Sequence, residues 1–321
     1  MRPRFAWSGS AAPPSAVETE EKQRNGMRSR FSTIVNEVEA ELRRSDRAST
    51  YFTLLAPNYV DDLIRIEGLH RGGAFLEIGG YPFYFSMCLR KLGVDLTTVD
   101  LAPQRAKDLI REYSLRVVAC DIEREALPFN DHSVATITLC ATFEHLRVDP
   151  FFALEEMRRV LQPGGLLYLT TPNLYRLGNI ASFALGRGLA FDPIREYGKL
   201  RSVGHMGHVR EYTASEMRRF LEGAGFATVE VAMRATPSRR GKFVDAVQRL
   251  LPGTRSELVV TAHTAPSARP YNRLQPRRRL SDDLTGVRAA GDPRQHERAK
   301  AVDTPKARFS GCTVEVVGRV F

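Results

Sequence analysis

An α/β fold, a doubly wound and mostly parallel sheet with helices on both faces, is what this sequence predicts, and three observations predict it. Short apolar runs of strand character alternate with runs of helical period from Ala74 to Leu161. The stretch Phe75 to Ser86, FLEIGGYPFYFS, turns from strand to helix at two adjacent glycines. An acidic residue stands at the carboxyl end of each of three successive strand patterns, as Glu77, Asp100 and Asp121. Alternation of this kind argues for parallel strands joined by crossover helices, and ligands of such sheets bind outside the carboxyl ends of the strands.

The elements follow in order. Met27–Arg44 repeats apolar residues at Phe31, Ile34, Val35, Val38 and Leu42, which is one apolar face of a helix. A second helix over Ser49–Leu69 carries Tyr51, Leu54, Leu55, Tyr59, Leu63 and Ile64. Residues 27–70 are expected to form a helical cap. Strands are predicted at Ala74–Ile78, Asp95–Val99, Arg116–Ala119, Ser133–Cys140 and Leu166–Thr170, with helices at Phe83–Leu92, Ala102–Tyr113 and Phe151–Leu161. The last helix has Asp149 as N-cap, Pro150 at its first position and Pro163-Gly164-Gly165 as its stop. From 172 to 209 the pattern loosens into an insertion long enough to be a lid or binding loop. Thr213-Ala214-Ser215-Glu216 is a capping box opening a helix over Ala214–Glu222. Strands at Ala227–Met233 and Glu257–Ala262, flanking an amphipathic Lys242–Leu251, bring the sheet to seven strands. A domain over 71–265 is thus bracketed by a disordered leader over 1–26, a disordered basic tail over 266–310 and a short strand within 311–321.

The chain has 321 residues, of which 43% are hydrophobic, enough for a sizeable core. Its formal charge of +10 is uneven, because residues 266–310 hold 11 Lys and Arg against 5 Asp and Glu. A basic tail of this kind contacts nucleic acid, anionic lipid or an acidic partner, or stays solvated. The 4 cysteines, Cys88, Cys120, Cys140 and Cys312, contain no CxxC pair and indicate neither a disulfide framework nor a zinc knuckle. With no apolar run of about 18 residues, the reading is a soluble protein in a reducing cytoplasm.

Glu77, Asp100 and Asp121 are expected to converge on one crevice, and a carboxylate after the second strand is placed to accept both hydroxyls of a ribose. Glu144-His145 directly follows the fourth strand and faces the same rim. With an unperturbed pKa near neutrality, His145 suits general-base work on a hydroxyl, and a backbone-bonded histidine at a helix start is the alternative. His205 and His208, in GHMGHVREY, precede the capped helix, with Arg210 and Tyr212 beside them. A G-x-G-x-x-G dinucleotide fingerprint is absent, which argues against an oxidoreductase.

Four blocks together, LEIGG, VVACDIEREALPFNDHSVATITLCATFEHL, EEMRRVLQPGGLLYLTTPN and HVREYTASEMRRFLEGAGF, give the chain from Ala74 to Ala262 a resemblance to the class I S-adenosylmethionine-dependent methyltransferases with their Rossmann-like sheet. That resemblance implies S-adenosyl-L-methionine as cofactor. It implies that Gly79 and Gly80 approach the methionine part, that Glu77 orients the loop, and that Asp100 holds the ribose hydroxyls. It further implies that Asp121 meets the adenine amino group with Ile122 against the ring, and that Cys140 and Ala141 floor the sulfonium, with Tyr81 and Leu101 completing the set. His145 and His208 are the implied bases.

The family's acid-x-G-x-G-x-G pattern is broken here, since Tyr81 and Phe83 stand where glycines are expected. Some relatives bind Mg²⁺ through an E-x-x-E-H block, but Ala141 occupies the first position of that block, so no metal is expected. Methyl transfer to an oxygen or nitrogen of a small-molecule, glycan or lipid-linked acceptor is the expected reaction. Two alternatives stay open: a non-catalytic cofactor-binding scaffold, and an RNA methyltransferase using the basic tail. Residues 177–191 are expected to be a lid helix, with a membrane-surface segment as the alternative.

Overall fold

The computed structural model describes residues 16–45, 50–189, 192–203, 207–235 and 242–267. The expected leader over 1–15, the basic tail from 268 to 310, the final strand and His205 lie outside them. Seven strands form one sheet: β1 (Phe75–Ile78), β2 (Leu96–Asp100), β3 (Val117–Ala119), β4 (Val134–Cys140), β5 (Leu161–Pro172), β6 (Thr228–Arg234) and β7 (Glu257–His263). Their order is β3-β2-β1-β4-β5-β7-β6. β1 to β5 pair in parallel, and β7 runs antiparallel to both β5 and β6. The carboxyl ends of β1, β2, β3, β4, β5 and β6 therefore share one rim. The strand order changes direction between β1 and β4, which opens a crevice at that rim.

Nine helices are seen among the described residues, and the helical period of each decides what it buries. On one face α1 (Ala16–Arg44), α2 (Thr50–Leu69), α3 (Tyr84–Lys91) and α4 (Lys107–Glu112) share a core with Tyr168 of β5 and Val259 of β7. On the other face α5 (Pro150–Val160) and α8 (Ala214–Gly223) pack over the strands. The remaining helices are α6 (Leu177–Ala184), α7 (Pro193–Val203) and α9 (Lys242–Leu250). In α1 the side chains of Phe31, Val35, Val38 and Leu42 are all buried, as their spacing requires.

Several boundaries differ from the sequence reading, each for a local reason. α1 begins at Ala16, so the expected disorder over 16–26 is corrected to helix. α1 and α2 are less a cap than part of the helical layer, because their apolar stripes meet α3 and the sheet. The expected helix over 102–113 is divided into a 3-10 turn at Pro103–Ala106 and then α4. Pro163-Gly164-Gly165 does not separate helix from strand: β5 starts at Leu161 and runs through all three residues, with Gly164 at φ 73°. The insertion contains α6, which ends at Ala184 inside the helix expected over 177–191, and α7, whose glycine-interrupted sequence hides its period. Two expectations hold in detail. The Asp149 side chain accepts the Phe152 N–H at 3.0 Å, and Thr213 and Glu216 form a reciprocal capping box.

One ion-paired group ties the helical layer to the sheet. Arg234, at the end of β6, donates to Asp62 of α2 at 2.6 Å and to Glu257 of β7 at 2.7 Å. Its Nη1 also donates to the Asn58 carbonyl at 3.2 Å, and the Tyr168 hydroxyl donates to Asp62 at 2.6 Å. Burial pushes the Asp62 carboxyl above its ordinary range, and Arg234 opposes that push. Removing the arginine strands two buried carboxylates, a class of change that costs about 3–5 kcal/mol. Arg234→Met is therefore expected to lose stability of that order in urea unfolding, while Arg234→Lys, which keeps the charge without the fork, loses less. Unfolding midpoints equal to wild type in both variants would refute the role.

Candidate active site at the carboxyl-end rim

The site is built where β1 gives way to α3. Glu77 on β1 is 5% exposed and lies beneath the turn, where its carboxylate accepts hydrogen bonds from Ser86 Oγ and, at 3.2 Å, from Thr98 Oγ1. Burial raises its pKa from the ordinary 4.5 to about 7, with the Ser86 and Thr98 hydrogen bonds pulling the other way. Above Glu77 the backbone turns at Gly79, at φ 74°. A Cβ there would come within 2.3 Å of Thr142 Oγ1, so only glycine lets this loop pack on the loop after β4. At Gly80 a Cβ would come within 2.3 Å of Thr98 Cγ2.

Two larger residues follow where the family carries glycine. Phe83 adopts φ 69° and ψ 14° and is completely buried. The left-handed region costs a non-glycine residue about 1–2 kcal/mol, and burying a phenylalanine side chain returns about 1.5–3 kcal/mol, so burial outweighs the strain. Tyr81 instead turns outward at 46% exposure, and the Arg105 guanidinium lies over its ring at 4.2 Å. Asp100 fastens this arrangement. Its Oδ2 accepts the Tyr81 N–H at 3.0 Å, its Oδ1 accepts the Ala102 N–H at 2.8 Å, and Arg105 stands 3.6 Å away.

A cleft of about 510 Å³ lies in front of these loops. Gly79, Tyr81, Asp100, Leu101, Asp121, Ile122, Ala141 and His145 all line it, so the structure brings together eight of the expected residues. Four do not line it. Glu77 sits below the loop, bonded to Ser86 and Thr98. At Gly80 the side on which a Cβ would stand faces Thr98 and Phe83. Cys140 turns toward the core of the helical layer, and only its neighbour Ala141, at φ 48°, reaches the floor. His208 lies behind His145, the ring centroids 5.2 Å apart.

Sequence reasoning missed Arg105, Glu123, Arg124, Thr142 and Arg147 in the lining. Glu123 has a structural role too. Its Oε1 accepts the N–H groups of Arg147, Val148 and Asp149 at 2.8, 2.6 and 2.9 Å, tying the loop after β3 to the loop after β4. Asp121 is held by the Glu123 N–H at 3.2 Å and by Arg124 at 2.6 Å. Asp121 and Glu123 stand two residues apart after β3, and the sequence carries no signal that tells lining from support.

Behind the cleft, β4 ends in the 3-10 turn Phe143–His145. Glu144 is 1% exposed and accepts from Thr171 Oγ1 at 3.0 Å, while its carbonyl accepts the Val209 N–H at 2.8 Å and so docks the end of the insertion. Burial raises the Glu144 pKa to about 7. His208 stands 4.0 Å from Glu144 Oε1 and 3.8 Å from Glu211 Oε1. Burial works against its charged form, but Glu211 and Glu144 outweigh burial and raise its pKa. Glu211 is fixed in turn by Arg176 at 3.0 Å and Asn179 at 2.5 Å, which anchors α6. Ligand atoms of Glu144, His145 and His208 lie within 4.8 Å of one another, a set that offers a cation three donors although Ala141 supplies no oxygen.

The cleft fits a nucleoside-bearing cofactor by the chemistry of its donors. Asp100 retains free lone pairs on both oxygens for hydroxyl donors, Asp121 offers a carboxylate to an amine, and Ile78, Val99, Leu101 and Ile122 give an apolar seat for a ring. Comparison with known proteins agrees. Residues 76–169 match the methyltransferase domain family. An uncharacterized methyltransferase of Mycobacterium tuberculosis is 30% identical over 122 residues, which are 38% of this chain and 49% of the relative. A "Probable S-adenosylmethionine-dependent methyltransferase" of Mycolicibacterium smegmatis is 26% identical over 163 residues, covering 44% of this chain and 56% of that one. The chain thus spans about half the length of the curated relatives it matches. Among solved structures, a SAM-dependent methyltransferase of Archaeoglobus fulgidus aligns over 67% of this chain and 100% of its own, at 15% identity and a TM-score of 0.47.

Glu77 gives this site a measurable pH signature. A carboxyl whose folded pKa is raised stabilises relative to the unfolded chain below about pH 4.5 and loses that contribution as pH climbs through about 7. Glu77→Gln keeps an acceptor for Ser86 and Thr98 and cannot ionise. Its unfolding free energy is expected to overtake wild type by up to about 3 kcal/mol between acid and mildly alkaline pH. Parallel stability-pH curves for the two proteins would show that Glu77 does not titrate this way.

Proposed function

We propose, from the match of residues 76–169 to the methyltransferase domain family, that the protein transfers the methyl group of S-adenosyl-L-methionine to an oxygen or nitrogen of a small-molecule, glycan or lipid-linked acceptor. The observation that carries this reading is the rim cleft, lined in order by Gly79, Asp100, Asp121, Ala141 and His145. When bound there, the cofactor supplies an electrophilic sulfonium methyl. Asp100 is the residue for the ribose hydroxyls, Asp121 for the adenine amine, Ile122 and Leu101 for the ring faces, and Ala141 for the floor. The rest of the protein's work is orientation, which converts a bimolecular encounter into a near-unimolecular one.

His145 is the base of this proposal, since it alone of the two histidines lines the cleft. It takes the acceptor proton as the new bond forms. His208, held toward its charged form by Glu211, positions His145 by packing edge-on against its ring. α6, tied to Glu211 through Asn179 and the preceding Arg176, is the candidate wall on the acceptor side. A scaffold without catalysis is the competing reading, motivated by Tyr81 and Phe83 in the glycine motif.

Calorimetric titration separates the two readings of the cleft. Wild type is expected to bind S-adenosylmethionine, Asp100→Asn to bind more weakly, and Asp100→Ala to lose binding with the fold intact by circular dichroism. No heat from folded wild type would sink the cofactor assignment. With tritiated cofactor, cell-extract fractions of lipid, glycan, RNA and small molecules identify the acceptor class. On that acceptor, His145→Asn is expected to lower kcat by about 10²–10⁴-fold with cofactor affinity unchanged. An unchanged kcat would remove His145 from the chemistry.

A further inference from the structure

A second cleft, of about 580 Å³, opens on the same rim at the other end of the sheet, where β6 finishes as the edge strand. Its walls come from α1, α2, the end of β6, α9 and the turn at Arg255, and six arginines face two aspartates across it. Three of the arginines are committed. Arg28 pairs with Asp61 at 2.5 Å, Arg234 is buried between Asp62 and Glu257, and Arg255 donates to the Met233 carbonyl at 3.1 Å. Arg24, Arg65 and Arg249 have neither an ion pair nor a hydrogen bond among the described residues. They come from three different helices, α1, α2 and α9. The one acid that shares their cleft outside an ion pair is Asp245.

Surface arginines usually point away from one another into water, where each is fully hydrated and mutual repulsion is small. Here three guanidinium side chains are gathered into one concavity with a single uncommitted carboxylate, an arrangement that raises the local potential and is relieved by a bound anion. Guanidinium groups present planar forks that match phosphate oxygens bidentately, and three of them exceed what one carboxylate can occupy. Ile64, Met233 and Ala235 supply an apolar strip beside the charges, and the cavity is larger than a diphosphate needs.

We propose that this cleft is a binding site for a diphosphate-bearing organic ligand, held by Arg24, Arg65 and Arg249 with its uncharged part along the Ile64–Met233 strip. The site is separate from the cofactor cleft. Between β4 and β6 lie three strand spacings, about 14 Å, so both clefts can be filled at once. The proposal does not rest on the methyltransferase reading.

Calorimetry with inorganic pyrophosphate on the full chain tests it. Wild type is expected to bind pyrophosphate at least tenfold more tightly than inorganic phosphate, and saturating S-adenosylhomocysteine is expected to leave that binding unchanged. Arg65→Ala and Arg249→Ala are each expected to weaken it at least fivefold, whereas Arg219→Ala, which removes an exposed charge from α8, leaves it unchanged. A mononucleoside diphosphate and vesicles carrying a lipid diphosphate distinguish a soluble ligand from a membrane one, and tighter binding of either supports the site. Absence of pyrophosphate binding, wild-type affinity in the Arg65→Ala/Arg249→Ala double variant, or equal weakening by Arg219→Ala overturns it.

Discussion

The rim cleft depends on one carboxylate. Asp100 accepts the Tyr81 N–H with one oxygen and the Ala102 N–H with the other, so the loop after β1 and the turn after β2 are held by the same side chain. Without it, the loop after β1 would keep Gly79 packed on Thr142 and its N–H on the Val99 carbonyl of β2, but lose the link from Tyr81 to the turn after β2. At 5% exposure the Asp100 carboxylate still lines the cleft, which makes it both the strut of the site and one of its acceptors. A ligand that donates hydroxyls to Asp100 therefore reads the geometry of two loops at once.

This dual use explains how a motif short of two glycines keeps its shape. Glycine at the position of Phe83 would relax the left-handed backbone but leave a hole where a fully buried ring now sits between the sheet and α3. At the Tyr81 position the side chain is turned out of the loop and braced by Arg105, which itself leans toward Asp100. The two aromatic residues are thus accommodated in opposite ways, one by burial and one by exposure. The backbone path is kept by Gly79 and Gly80, where a Cβ would collide with Thr142 and Thr98.

Much of this was legible in the sequence because it is local. Strand period, the acid at each strand end, the Asp149 cap and the Thr213 capping box are all decided within a few residues, and each appears in the structure where its pattern placed it. The inward turn of Cys140 was not legible, since a strand residue points to one side or the other according to register with partners far along the chain. Of the insertion's two helices, α6 lies within the helix expected over 177–191 and ends at Ala184, whereas α7, interrupted by Gly198, was not foreseen. Arg24, Arg65, Arg234 and Arg249 are spread over more than 200 positions, and no window of sequence holds a pattern that only tertiary packing assembles.

Charged side chains follow strand order along the carboxyl-end rim. At the β3-β2-β1 end Asp100, Asp121 and Glu123 stand with Arg105, Arg124 and Arg147, so the two signs balance. In the middle, beyond β4 and β5, stand Glu144, His145, His208 and Glu211, whose buried acids draw a proton toward His208. At the β6 edge the arginines take over. The balanced first end holds a ligand through directed hydrogen bonds rather than a net field, while the arginine excess at the last end favours an anion. Because β5 and β7 separate the two clefts, the field of the arginines reaches the other cleft mainly through solvent, where screening damps it within about 8–10 Å. The same sheet can thus carry two sites of different charge balance without either spoiling the other.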